Sequence, residues 1–163
     1  MLINSQNTKH QSGFTLIELL TVVAVIAVML TLAVVSFTSA IEKSAAETFR
    51  EKFRHDLSFA RSEAISTGKT IKMMSLSPVL GNPQWELGWK LDNNGTQIKV
   101  HKGDDGAKTT ITSSNGIKEF AFSPSGSITL KDTSDATTAT STTITFGTGT
   151  DHQMTISTSG LIE

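Results

Sequence analysis

Between Gly13 and Gly68 the chain runs for 54 residues without a glycine or a proline. These are the two residues least tolerated inside a helix, so one uninterrupted helix over 14–67 is the expected conformation and everything else must arrange itself around it. The other eleven of the twelve glycines, and Pro78, Pro83 and Pro124, all lie at position 68 or beyond. Gly68-Lys69 therefore reads as the C-terminal stop of the helix.

The two halves of this helix differ in pattern. From Phe14 to Phe37 the only polar residues are Thr15, Glu18, Thr21, Thr31 and Ser36. Roughly 20 apolar residues cross a hydrocarbon core of about 30 Å, so 14–38 is expected to be a transmembrane or filament-buried segment, apolar on all sides. From 39 to 67 the pattern is amphipathic: Ile41, Ala45, Phe49, Phe53, Leu57, Ala60, Ala64 and Ile65 recur at spacings of three or four, with Glu47, Arg50, Glu51, Arg54, Asp56 and Arg61 between them. Such a stripe requires a partner surface.

After 68 the texture is that of β structure. Runs at 70–77, 84–91, 96–102, 109–113, 117–123, 127–131, 142–146 and 152–157 are separated by turn residues. Asn94-Gly95 predicts a type I′ hairpin. Pairing outward from it sets Leu91 opposite Ile98 and Trp89 opposite Val100, with Trp85 and Leu87 on the same face. A second turn is expected at Pro124-Ser125-Gly126, and 132–143, rich in Ser, Thr and Ala, reads as a mobile loop. The whole is an α+β chain: a leader over 1–13, helix segments 14–38 and 39–67, and a β-rich head over 68–163.

Charge and composition exclude several functions. From Gly68 onward there are eight Lys, no Arg and nine Asp or Glu, so the head has no net positive charge to hold a polyanion. With no cysteine, disulfides, thiolate nucleophiles and cysteine metal sites are ruled out. His10, His55, His101 and His152 are dispersed and show no metal-ligand spacing. There is no G-x-S-x-G elbow and no phosphate loop. Asp92-Asn93-Asn94-Gly95 and Asp104-Asp105-Gly106 lack the full spacing of a calcium loop and read as turns. Trp85 and Trp89 alternate with polar residues, which is a core pattern. No enzyme, metal or cofactor is indicated.

Glu18 is the anomaly. A carboxylate at membrane depth costs about 2.5–3.5 kcal/mol, and it stands only five residues after Gly13. The residues before Gly13 include Lys9 and His10 and no acid, a polar leader ahead of the apolar run and so the reverse of a conventional secretory signal. The string GFTLIELL in this setting resembles the class III signal of type IV prepilins and type II secretion pseudopilins. LSFARSEAISTGKTIKM (57–73) and FSPSGSITL (122–130) resemble the minor pilins of the GspH/FimT type.

The resemblance implies a pilin-like fold, a long N-terminal helix whose second half packs on an antiparallel β-sheet head. It implies that a prepilin peptidase cuts between Gly13 and Phe14 and N-methylates Phe14, and that Glu18, the fifth residue after the cut, pairs in the assembled bundle with the N-terminal amine of a neighbouring subunit. Two buried charges are favourable only when both are present, so Glu18 would set register. The implied partners are major and minor pilins or pseudopilins and an inner-membrane assembly platform. The implied placement is a single bacterial inner-membrane pass, leader cytoplasmic and head periplasmic, and then the filament, at or near whose tip the subunit would initiate or adapt assembly. Major pilins often carry a helix-kinking proline and a C-terminal disulfide; here Val35 and the lack of cysteine favour a minor subunit. The alternative is DNA uptake in natural transformation. Subunits of that kind resemble one another in a C-terminal Gly-Arg-x-Arg stretch, whereas this chain ends TSGLIE. Lys90 and Lys99, expected to face each other across the hairpin with Lys102 nearby, are the candidate DNA contacts.

Overall fold

The computed structural model describes residues 13–77, 83–103, 109–137, 140–147 and 152–163, and for 32–38 the helix but not the side chains. The leader over 1–12 and the Asp104-Asp105-Gly106 turn lie outside them. The chain divides into two compact units, Met1–Ser39 and Ala40–Glu163.

Helix α1 runs over Leu16–Thr67, close to the limits set by Gly13 and Gly68. Gly68 ends it with φ +65°, the left-handed conformation that glycine adopts without penalty. In the first unit the apolar side chains from Leu16 to Leu30 are half or more exposed on every side of the helix. Their few hydroxyls are satisfied within it, Thr21 Oγ1 donating to Glu18 O at 2.8 Å and Thr31 Oγ1 to Val28 O at 2.7 Å. Among the described residues no helix is long and apolar enough to cross a membrane. The expected 14–38 span includes 32–38, whose side chains lie outside those residues.

The second unit is α+β, the helix packed on two antiparallel sheets. Five strands, β1 (Ile71–Ser75), β2 (Gly88–Asn93), β3 (Thr96–Lys102), β5 (Ile117–Phe122) and β6 (Ile128–Asp132), form an antiparallel sheet in the order β3-β2-β1-β5-β6. The strands β4 (Ile111–Ser113), β7 (Ser141–Phe146) and β8 (Gln153–Ser157) form a second sheet in the order β4-β7-β8. Ala46, Phe49, Phe53, Leu57, Ala60 and Ala64 of α1 are buried in the same hydrophobic core as side chains of both sheets. The stripe is shorter than the sequence pattern suggests: Ile41 and Ile65 are each 54% exposed, and Ala46, not Ala45, faces the core.

Phe53, with no exposed surface, is the hub. Its ring meets Trp85, Trp89, Phe120 and Phe146 edge-on at centroid distances of 5.1–5.9 Å, and so touches both sheets. Edge-to-face pairs add stabilisation beyond area burial. Both indole N–H groups are satisfied, Trp85 donating to Ile117 O and Trp89 to Asp56 Oδ2, each at 2.9 Å.

A second tie lies at the far end of the helix. Arg61 Nη1 donates to Gly160 O at 2.6 Å. A Cβ on Gly160 would stand 2.6 Å from Arg61 Cζ and 2.8 Å from Gly126 O, so the turn after β8 closes on the guanidinium and on the β5–β6 turn as only glycine permits. Ile128 N donates to Thr158 O at 2.9 Å, joining the two sheets beside this clasp.

The hairpin at Asn94-Gly95 forms with both residues at positive φ, 50° and 94°, as a type I′ turn requires. Its register differs from expectation. Trp89 pairs with His101, Lys90 with Val100 and Leu91 with Lys99, and a bulge between Leu91 and Asp92 restores Asp92 to Gln97. One inserted residue shifts the pairing beyond it by one position, so Leu91 opposes Lys99 and not Ile98. The run 84–91 is not wholly strand: Trp85–Leu87 is a 3-10 turn that buries Trp85 and leaves Leu87 38% exposed. The turn at Gly126 forms as expected, with φ +81° and Gly126 N donating to Ser123 O at 2.9 Å. In the stretch read as a loop, Asp132 Oδ1 instead accepts from Ser134 N and Ala136 N.

Phe53→Ala in a chain of residues 40–163 is expected to cost about 3–5 kcal/mol, read as a drop in the urea midpoint at unchanged m value. A loss below about 1 kcal/mol would show that the ring is not the hub.

Candidate functional site

Two acidic positions of α1 stand out, one near each end of the described helix, and their surroundings are opposite. The first is Glu18. Gly13, Phe14 and Thr15 are non-helical and α1 begins at Leu16. Thr15 caps it: Thr15 O accepts from Leu19 N at 3.2 Å, and Thr15 Oγ1 accepts from Glu18 N at 3.3 Å. Thr15-x-x-Glu18 has the spacing of a capping box, a signal legible in the sequence but not read there. Glu18 is thus also a first-turn acid, favoured by the positive end of the helix dipole. Phe14 is 85% exposed, and nothing lies within 4 Å of where a Cβ on Gly13 would stand. The Gly13–Phe14 bond is in open, non-helical backbone.

The second acid is Asp56, only 2% exposed. Trp89 donates to its Oδ2, Lys99 Nζ donates to its Oδ1, and His55 Nδ1 lies 3.2 Å from Oδ1. Burial pushes this carboxyl up, but the hydrogen bonds from Lys99, Trp89 and His55, with the Lys99 charge, outweigh it and hold the group below its ordinary value. His101 completes the cluster, stacked on Trp89 at 4.2 Å and edge-on to Phe49 at 6.2 Å. Burial and the Lys52 charge lower its pKa against an opposing pull from Asp56. Sequence reading placed Asp56 among the solvated residues between the core positions. The available signal was its place at i+3 from Phe53 and next to Leu57.

Of the candidate DNA lysines, Lys99 is separated from the other two. Lys99 lies on the helix side of the sheet, bound to Asp56, while Lys90, next along β2 to the core residues Trp89 and Leu91, faces away from the helix, as does Lys102 by strand alternation. The expected facing pair of Lys90 and Lys99 is therefore incorrect, and the bulge that leaves Ile98 of β3 unpaired is the cause. No group of three or more metal-ligating side chains occurs among the described residues.

A long N-terminal helix with an acid in its first turn, continued into a β head that buries its second half, defines a pilin-class subunit, a structural protein and not an enzyme. Residues 8–34 match the prokaryotic N-terminal methylation motif, and residues 50–160 match the family described as type II transport protein GspH. The chain belongs to the GspH family, among the minor pilins and pseudopilins of the type II secretion and type IV pilus class. Two crystal forms of the type IV minor pilin FimU of Pseudomonas aeruginosa PAO1 are similar in fold. Each has a TM-score of 0.51 and 22% identity over 74% of this chain, covering 85% of the FimU chain in one form and 90% in the other. Among curated proteins none matches. The methylation motif marks an inner-membrane-anchored subunit, processed by prepilin peptidase and assembled with other pilins.

The two buried groups predict two pH windows. His101 has a lowered folded pKa, so the unfolded chain binds its proton first and stability falls as pH drops below about 6.5. Asp56 also has a lowered pKa, so its contribution is present above about 3.9 and lost below it. His101→Phe should flatten the decline in urea midpoint between pH 7 and pH 5. Asp56→Asn should cost about 1.5–3 kcal/mol at pH 7, with the gap from wild type closing as pH falls through 3. A gap that does not close would show that the carboxylate charge is not what stabilises the seam.

Proposed function

We propose that the chain is a minor subunit incorporated at or near the tip of a type IV filament, in a surface pilus or a secretion pseudopilus, where it initiates or adapts assembly. Gly13 and Phe14 form the cleavage junction, with N-methylation on Phe14, and Glu18 is the assembly residue. Before assembly the leader is cytoplasmic and the head periplasmic.

The observation that carries this reading is the geometry around Glu18. The scissile bond is exposed just ahead of the Thr15 cap, and Glu18 follows one turn inside an apolar helix with no other charge down to Thr31. After cleavage the Phe14 ammonium would be the nearest strong cation to that depth, and in a bundle each Glu18 can meet one from a neighbour. The lack of a kinking proline and of cysteine supports a minor role. The DNA-uptake reading has less support, because Lys90, Lys99 and Lys102 do not share a face and one of them is already neutralised by Asp56.

Glu18→Ala should leave membrane insertion intact and lower recovery of the subunit in sheared filaments or in complexes with other pilins by at least about tenfold, the effect of one lost buried ion pair. Mass spectrometry of the wild-type subunit should find an N-methylated Phe14 as the first residue. Normal incorporation of the variant, or an intact leader on assembled subunits, would overturn the reading.

A further inference from the structure

The chain contains two Asn-Gly dipeptides, Asn94-Gly95 and Asn115-Gly116. In such a pair the main-chain nitrogen of the glycine, with no Cβ to hinder it, can attack the side-chain amide carbon of the asparagine. The nitrogen loses its proton, the new N–C bond closes a succinimide, and the side-chain amide nitrogen leaves as ammonia. Water then opens the ring at one carbonyl or the other. The product is aspartate, or isoaspartate with one extra carbon in the main chain, and no oxidant or reductant takes part.

Both asparagines are exposed and both glycines are left-handed, at φ 94° and 60°. Exposure therefore does not distinguish the two sites. What does is the group that holds the attacking nitrogen. Gly95 N donates to Asp92 Oδ1 at 2.6 Å, and Asp92, on β2, is only 8% exposed. A charge-assisted bond of that length stabilises the proton that has to leave, and the carboxylate opposes the negative charge that develops on the nitrogen. Gly116 N donates instead to the neutral Ser113 O at 3.3 Å, longer than an ordinary N–H···O bond. Asn115 Nδ2 is tethered to Ser141 O at the same length.

The two sites also differ in what conversion does to the fold. Asn94 stands in the two-residue turn whose following strand carries Lys99 to Asp56, so an extra main-chain carbon there would disturb the pairing that brings this lysine to the helix seam. Asn115 stands where the chain passes from β4 of the small sheet to β5 of the large one. Conversion there replaces a donor to Ser141 O by a carboxylate. We propose that Asn115-Gly116 is the Asn-Gly site at which this chain converts spontaneously to aspartate and isoaspartate, and that Asp92 shields Asn94-Gly95 from the same reaction by holding the Gly95 N–H. The proposal is independent of the assembly reading.

The test incubates the full chain in detergent micelles at mildly alkaline pH and follows both dipeptides by peptide mapping and mass spectrometry. In the folded wild type Asn115 should convert at least about tenfold faster than Asn94, the rate equivalent of one charge-assisted hydrogen bond. In urea, where that bond is gone, the two rates should converge. Asp92→Asn leaves the turn residues in place and removes the charge, and should raise conversion at Asn94 about tenfold with Asn115 unchanged. Folded wild type converting at Asn94 as fast as at Asn115 would overturn the proposal, as would a difference that persists in urea or an Asn94 rate indifferent to Asp92→Asn. A joint rise at both sites in that variant would assign the shielding to the folded hairpin and not to the carboxylate, and would overturn it as well.

Discussion

The second half of α1 meets both sheets of the head at one ring. Phe53 touches the five-stranded sheet through Trp89 and Phe120, the 3-10 turn through Trp85, and the three-stranded sheet through Phe146. The two sheets are hydrogen-bonded into separate ladders, so a hydrophobic element common to both is what makes them one core. Trp85 and Phe120, both against that ring, also meet each other at 5.4 Å. Packing of this kind is jigsaw-like and intolerant of lost volume.

Arg61 performs the same joining by polar means. Its guanidinium lies between the β5–β6 turn and the turn after β8, one from each sheet, and both turns present a glycine at positive φ, Gly126 at 81° and Gly160 at 88°. The close approach is what demands glycine at Gly160, since any Cβ there would collide with the guanidinium carbon. Helix, large sheet and small sheet thus meet twice along α1, at Phe53 through carbon and two turns later at Arg61 through nitrogen and oxygen. Two separated fixings resist rotation of the helix about its axis, which a single hub would not.

Much of this was legible in the sequence. The Gly- and Pro-free stretch gave the helix to within two residues at its start, Gly68 gave its end, and Asn94-Gly95 and Gly126 located two turns by their need for positive φ. What escaped were the places where one inserted residue changes every later assignment. The bulges at Leu91/Asp92 and Ile117/Glu119 leave no mark in composition, yet the first moves Lys99 from the open face to the helix seam and the second keeps Ile117 on the core side with Phe120 and Phe122. Asp56 escaped for a related reason: periodicity assigns a carboxylate to solvent by default, and only the tertiary arrival of the Trp89 and Lys99 donors makes burial favourable. At the N-terminal site the residue types were readable, while the Thr15 cap that fixes their geometry lay unread in the same four letters.

The contrast between Glu18 and Asp56 is the physical logic of a subunit with two lives. Both acids stand on one helix, Asp56 buried and Glu18 exposed on an otherwise apolar stretch, and a buried carboxylate is tolerated only with its partners present. Asp56 has three partners from its own chain, so its charge is compensated whenever the head is folded, in the membrane or out of it. Among the described residues the hydrogen bonds of Glu18 run through its main chain, with the Thr15 and Thr21 hydroxyls among the partners, and its carboxylate charge has no cation paired with it. The head therefore needs no outside partner for its buried acid. On the proposed assembly reading, an anchor whose charge is not balanced would be less stable alone than beside a cation at the same depth, and that difference would give direction to assembly.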